Sequence, residues 1–258
     1  MAGRLGGHGG GYLASRRLIE VLRQTGSTNA ELAARLASGE AVREGDWLVT
    51  DRQTAGKGRQ GRIWFDGLGN FMGSSIVALR AGDPASSTLA LLAGLAAYET
   101  VSPRIPAPHC AILKWPNDIL IGEAKLAGIL LERVGENVIV GIGVNLARAP
   151  AIEGRSTTAL TAFGPAPDRD TFAGDLAASF AVELERWRGY GLAPVLSRWQ
   201  AAAHPEGTAL SIGEPDEPAL NGRFAGLSDD GALLLRLADG TCRAIQAGEV
   251  RLSGQDRN

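Results

Sequence analysis

Residues Thr54 to Trp64, TAGKGRQGRIW, hold the densest run of reactive groups in the chain: Gly56, Gly58 and Gly61 alternate with Lys57, Arg59 and Arg62. Glycine lets backbone come close to a ligand, and lysine and arginine offer donors to anionic oxygens, so the run suits an anion-handling loop. GKGRQG also fits G-x-G-x-x-G, a pattern that marks a dinucleotide site only between a strand and a helix. Here Ile63-Trp64-Phe65 and the turn residues Asp66-Gly67-Leu68-Gly69-Asn70 follow, which predicts a hairpin. A Walker loop is excluded, because no G-x-x-x-x-G-K-[ST] occurs. Taken alone, the loop fits a basic surface turn equally well.

A second polar set interrupts the apolar block Ile112 to Leu146: Lys114, Asn117, Asp118, Lys125 and Asn145. A lysine opening a buried strand either snorkels to the surface or points at an anion, and Trp115-Pro116-Asn117-Asp118 also reads as a rigid turn. Gly128, Gly141 and Gly143 fall inside strands, where glycine weakens the element unless something comes close; together they favour a ligand. Ser27-Thr28-Asn29 opens a helical pattern. Thr28 and Glu31 have the spacing of a capping box, which accounts for Ser27 and Thr28 structurally but leaves Asn29 unexplained. Gln53, at a strand end, is either solvated or aimed into a site.

These residues need elements to hold them. Arg17 to Arg23 reads as a first strand, Ser27 to Gly39 as a helix with Leu32 and Leu36 inward, and Asp46 to Arg52 as a strand feeding the glycine loop. Asn70 to Leu79 is expected to pair with the Ile63 strand. Ser87 to Val101 has almost no polar face and reads as a buried helix. Leu126 to Val134 and Val138 to Val144 flank Gly135-Glu136-Asn137 as a central hairpin. Phe172, Leu176, Phe180, Leu184 and Trp187 form a core stripe on a helix from Arg169 to Arg188, and Leu192 to Ala203 is a shorter helix. From Thr208 the texture becomes short β runs punctuated by Asp230-Gly231 and Asp239-Gly240, strong hairpin signals, so Thr208 to Leu252 reads as a small β-barrel.

With 258 residues, 45% hydrophobic and 21% charged, the chain can bury a sizeable core and is composed as a soluble globular protein. A net charge of -2 offers no basic field for nucleic acid. Cys110 and Cys242 stand far apart without metal-ligand spacing, which fits a reducing cytoplasm and no metal held by the protein. No signal peptide or membrane span is evident. Met1 to Arg16 reads as a Gly-rich flexible tail, with His8 solvated.

In register along the chain, Ser27-Thr28-Asn29, Gln53 with GKGRQGR, KWPNDIL from Lys114, KLAGIL from Lys125 and GIGVNL from Gly141 resemble the biotin protein ligases, also called biotin–[acetyl-CoA-carboxylase] ligases. The resemblance runs from about Leu18 to Leu252. It implies an α+β fold: a catalytic domain over 17–204 with a mixed sheet and flanking helices, related to class II aminoacyl-tRNA synthetases, then an SH3-like barrel over 205–258. It implies that biotin and ATP, with Mg²⁺, give biotinyl-5′-AMP, and that the biotinyl group passes to a lysine of a biotin carboxyl carrier domain. By resemblance, Arg59 and the backbone at Gly56, Lys57 and Gly58 close over the acyl-phosphate, and Lys125 meets carboxylate and phosphate oxygens. Ser27, Thr28, Asn29 and Gln53 surround the ureido ring, Trp64 packs on adenine and Asn145 contacts it. Asn117 holds phosphate or metal-bound water, and Asp118 orients the carrier lysine or takes its proton. Arg62, Lys114, Gly128, Gly141 and Gly143 complete the expected site. Two departures stand out. Lys57 replaces the arginine more common in the family loop, and fewer than twenty residues precede the first strand, too few for the winged helix by which some members bind DNA. Members can dimerise through the central sheet, so a homodimer stays open. The alternative is a lipoate or octanoate transferase of the same fold; the missing winged helix argues against a transcriptional regulator, and the concentration of cations with KWPND argues against a passive biotin-binding module.

Overall fold

The computed structural model describes residues 18–213 and 219–252. The predicted tail and His8 lie outside the described residues.

Strand β1 (Ile19–Leu22) leads into helix α1 (Thr28–Ala37), followed by β2 (Trp47–Thr50), β3 (Phe71–Ala78) and helix α2 (Leu89–Val101). Four strands come next: β4 (Ala111–Lys114), β5 (Asp118–Ile121), β6 (Ala124–Val134) and β7 (Asn137–Val144). Helices α3 (Arg169–Tyr190) and α4 (Ala193–Ala201) precede β8 (Ala209–Gly213), β9 (Leu220–Leu227), β10 (Leu233–Arg236), β11 (Cys242–Ile245) and β12 (Glu249–Leu252).

The first seven strands form one mixed sheet in the order β1-β2-β3-β7-β6-β5-β4. Only β1 and β2 run parallel; the remaining pairs are antiparallel. Strands β2 and β3 are buried on both faces, as expected of a sheet covered by helices on each side. Alternation assigns the two faces. Leu48, Ile76 and Ile139 meet Leu32 of α1, whereas Val49, Val77 and Val140 join the larger core that includes α2 and α3. Helix α2 is buried at ten of its 13 residues, so its Leu/Ala composition serves contacts all round. The stripe on α3 is buried as its spacing predicts, with Phe180 edge-on to Trp47 at 5.5 Å between ring centroids. Just ahead of β2, the Glu44 carboxylate accepts from Arg188 Nη1 at 2.6 Å, Arg188 Nη2 at 2.8 Å and the Ala78 amide at 2.9 Å, clasping the α1–β2 connection to the end of α3.

Strands β8 to β12 form a second, antiparallel sheet in the order β11-β10-β9-β8-β12. Gly231 and Gly240 sit in the left-handed region, with φ of 85° and 86°, which is the conformation the two Asp-Gly turns require. This unit rests on the first: Trp115 Nε1 donates to Gly231 O at 3.1 Å and the Leu227 amide to Gln200 Oε1 at 2.9 Å.

One expected pairing is corrected. Strand β3 does not pair with an Ile63 strand; it lies between β2 and β7, with Val49 opposite Gly73 and Val140 opposite Ser75. Ile63 contributes only an isolated bridge to Lys57. The glycine loop therefore closes on itself, and the sheet gains its central strand from a non-local partner.

Candidate active site

All the site residues named above except Gly56 line one cavity of about 410 Å³. Gly56 lies just behind the wall, where a Cβ would stand 2.9 Å from Gln53 Nε2 and 3.0 Å from Trp64 O.

One end of the cavity is neutral and polar. Ser27 is the residue that caps α1, in extended backbone at φ -159°, yet no side-chain cap forms. The capping box is thus corrected: Thr28 is already helical, and its side chain turns into the protein instead of closing the helix end. The Thr28 amide donates to Gln53 Oε1 at 2.8 Å, and Thr28 Oγ1 lies 2.6 Å from Ser74 Oγ. Ser74 donates to Asn29 Oδ1 at 2.6 Å, and Asn29 Nδ2 donates to Glu132 Oε2 at 2.7 Å. Thr28, Asn29 and Ser74 are buried, so the hydrogen bonds meet a requirement that solvent cannot.

The other end carries charge. The loop is pinched by Gly58 N to Arg62 O at 2.7 Å and Trp64 N to Gly56 O at 2.9 Å, and its base is held by Asp66, which accepts from Gln53 N at 3.1 Å and Arg52 Nε at 2.9 Å. At its tip, a short 3-10 turn over Arg59–Gly61 holds Gln60 at φ 57°, an uncommon conformation for a residue with a Cβ. Arg59 Nη1 donates to Asn117 Oδ1 at 3.2 Å, while Asn117 Nδ2 donates to Ile129 O at 2.6 Å. Lys125 Nζ lies 2.6 Å from Asp118 Oδ1 and 5.7 Å from the centre of the Trp64 ring. Lys114 faces Asp118 across β4–β5. Burial lowers the Lys114 pKa below the usual lysine value, and the Asp118 charge opposes that shift in part. Asn145 is held by Thr158, whose carbonyl accepts from its Nδ2 at 3.0 Å.

The strand glycines have a different cause from the one the sequence suggested. Protein side chains fill the space above them: the Asn29 carboxamide above Gly141, the Trp64 indole above Gly143, and Trp64 with Lys125 above Gly128. Any Cβ at Gly141 or Gly143 would overlap those groups. The glycines admit residues that build the cavity wall. Trp64 Nε1 is buried there with no hydrogen-bond partner among the described residues.

Residues 21–146 match the biotin/lipoate A/B protein ligase family, and residues 211–253 match the biotin protein ligase C terminal domain. A biotin–[acetyl-CoA-carboxylase] ligase of Paracoccus denitrificans is 39% identical over 246 residues, covering 91% of this chain and 100% of the relative. The chain belongs to the biotin/lipoate A/B protein ligase family. A second relative in that family, the biotin–[acetyl-CoA-carboxylase] ligase of Mycobacterium tuberculosis, is 36% identical over 91% of this chain and 88% of its own length. Among solved structures, the biotin protein ligase from Aquifex aeolicus in complex with biotin and ATP superposes with a TM-score of 0.80 at 25% identity, covering 92% of this chain and 100% of that one.

Four residues of this family member escaped the sequence reading: Ser74, Glu132, Arg155 and Glu249. Ser74 and Glu132 lie in strands and connect to the cavity only through Thr28 and Asn29, a link made by folding. Glu249, from β12, accepts from Arg155 Nη2 at 3.0 Å and from Arg62 Nη2, so the second unit sends an acid into the cavity of the first. Burial would raise the Glu249 pKa, but the Arg62 hydrogen bond and the Arg62 and Arg155 charges outweigh it and hold the carboxyl below its ordinary value. A glutamate in a short β run gave no signal: Arg251 is the cation near it in sequence, while the partners that tie it to the cavity, Arg62 and Arg155, lie far away along the chain. Among the described residues no helix is long and apolar enough to cross a membrane.

Proposed function

We propose that this chain is a biotin protein ligase that converts biotin and ATP to biotinyl-5′-AMP and pyrophosphate, then transfers the biotinyl group to a lysine of a biotin carboxyl carrier domain. The observation that carries the reading is one cavity with a neutral hydrogen-bonding end, Ser27 to Asn29 with Gln53, and a cationic end, Arg59, Lys114 and Lys125.

In the first step a biotin carboxylate oxygen bonds to the α-phosphorus as the bond to pyrophosphate breaks. Two anions must meet, and pre-aimed cations offset their repulsion without reorganising. Lys125 and Arg59 take that role, with the loop backbone at Lys57 and Gly58 closing over the product. Trp64 and Asn145 form the adenine wall. In the second step the carrier lysine nitrogen bonds to the acyl carbon, AMP leaves, and the amine loses a proton. Asp118 orients that amine. Its contact with Lys125 holds it until phosphate oxygens draw the lysine away.

At the neutral end, Thr28 and Gln53 pair with the ureido group. Lipoate has no such group and would leave buried partners unpaired at about 1–3 kcal/mol each, which ranks biotin above it. Mg²⁺ would be bound largely by the triphosphate oxygens, with Asn117 near the phosphates to hold metal-bound water. The same reading divides the chain into a catalytic domain over 17–204 and a C-terminal domain over 205–258.

The test is incubation with ATP, Mg²⁺, a carrier domain and either biotin or lipoate, followed by intact mass. A mass gain that requires biotin is the expected result. Gain with lipoate alone would assign the chain to lipoyl transfer, and no gain with either would remove the proposal.

A further inference from the structure

We propose that Glu132 and Ser74, which lie behind the cavity wall, set the hydrogen-bond polarity of Thr28 and thereby make the pocket specific for a cyclic urea; this rests on the biotin reading given above. The argument follows protons along one chain of contacts. The groups that face Asn29 Nδ2 are Glu132 Oε2 at 2.7 Å and Leu130 O at 3.5 Å. A carboxylate and a carbonyl only accept, so the amide nitrogen must point to them and Oδ1 must point away. Ser74 Oγ is 2.6 Å from that Oδ1, which also only accepts, so the Ser74 proton is committed to Asn29. The contact between Thr28 Oγ1 and Ser74 Oγ, again 2.6 Å, then takes the Thr28 proton, in preference to the longer contact with Gln53 Oε1 at 3.3 Å. Thr28 Oγ1 is left with lone pairs alone to present to the cavity it lines.

Gln53 is fixed in the complementary sense. Its Oε1 takes the Thr28 amide proton at 2.8 Å, which turns Nε2 the other way as a donor. The pocket therefore offers an acceptor beside a donor. A cyclic urea presents an N–H beside a C=O, the matching pair. Gly141 belongs to the same device, because a Cβ there would displace the Asn29 carboxamide. Ser74 and Asn29 are 0% and 3% exposed, so water cannot substitute for a missing link. Glu132 is a positioning residue in this scheme, since it touches Asn29 and not the ligand.

Substitutions at Glu132 separate polarity from charge. Glu132→Gln keeps an oxygen that accepts from Asn29. Glu132→Lys supplies only donors, which turns Asn29 around, reverses Ser74 and makes Thr28 a donor facing the urea N–H. The expected result is a biotin KM close to wild type for Glu132→Gln and about ten-fold higher for Glu132→Lys, with kcat at saturating biotin and the KM for ATP little changed. Ser74→Ala, which leaves the Thr28 proton no protein acceptor but the long contact to Gln53 Oε1 at 3.3 Å, should raise the biotin KM on its own, and adding Glu132→Lys to it should do nothing more, because the path is already cut. Equal defects in Glu132→Gln and Glu132→Lys would mean that the charge matters and not the polarity, and the proposal would fall. An unaltered biotin KM in Ser74→Ala would overturn it whether or not Glu132→Lys folds. A wild-type protein that binds no biotin by calorimetry would instead refute the functional reading, and the relay with it.

Discussion

The Trp64 indole fills the space above Gly143, and that contact decides what the position tolerates. A methyl group at Gly143 would occupy the place of the indole. Gly143→Ala should therefore push Trp64 out of the proposed nucleotide end and raise the KM for ATP by about ten-fold or more, given roughly 1–3 kcal/mol for stacking on a base. Biotin binding, at the far end, should change less than two-fold; calorimetry with each ligand separately reads both. Lys125→Ala removes a cation from the proposed site of charge development and should slow pyrophosphate release about 100-fold. Normal release would take Lys125 out of the proposed chemistry. At this scale the sequence was informative where residue type alone implied a role. Cations among glycines and an asparagine with no capping use pointed to a cavity, and Arg59, Lys125 and Asn29 all line it. It misled where a residue had a common local use. Thr28 looked like half of a capping box, and the strand glycines looked like room for ligand, because which side chain fills a gap depends on strands that are distant in sequence.

Among the elements, the clasp between the α1–β2 connection and α3 carries a pH dependence with a definite sign. Burial would raise the Glu44 pKa, but hydrogen bonds from Arg188 and the Ala78 amide outweigh it, so the folded value lies below the ordinary 4.5. Its stabilising contribution is complete above that unfolded value and drains away as pH falls through the folded one. Glu44→Gln should cost about 2 kcal/mol at pH 7, and the gap to wild type should close on acidification below pH 4.5. Urea unfolding at a series of pH values measures it, and a gap independent of pH would count against the clasp. Most helices and the β6–β7 hairpin were legible because their signals are periodic and local. The sheet order was not: β3 sits between β2 and β7, and nothing near Asn70 announces a partner as distant as Val140.

For the molecule as a whole, the two sheets meet at the loop that matters most. Glu249 of β12 holds Arg62 at one end of the glycine loop and Arg155 on the connection beyond β7. Glu249→Gln should leave the thermal midpoint nearly unchanged but speed tryptic cleavage at Arg59 or Arg62 by about ten-fold, since a partly buried ion pair then no longer restrains a locally opening segment. Cleavage at the wild-type rate would show that the loop is ordered by its own pinch alone. The small β unit was readable from its Asp-Gly turns, yet its reach into the cavity was not, because charge partners in different units share no sequence pattern. The separation also has a temporal side. Glu249 follows Arg62 by 187 residues, so at ordinary elongation rates a nascent chain waits roughly 10–40 s between making the arginine and making its acid. The enzyme therefore gains its tethered loop only as synthesis reaches β12.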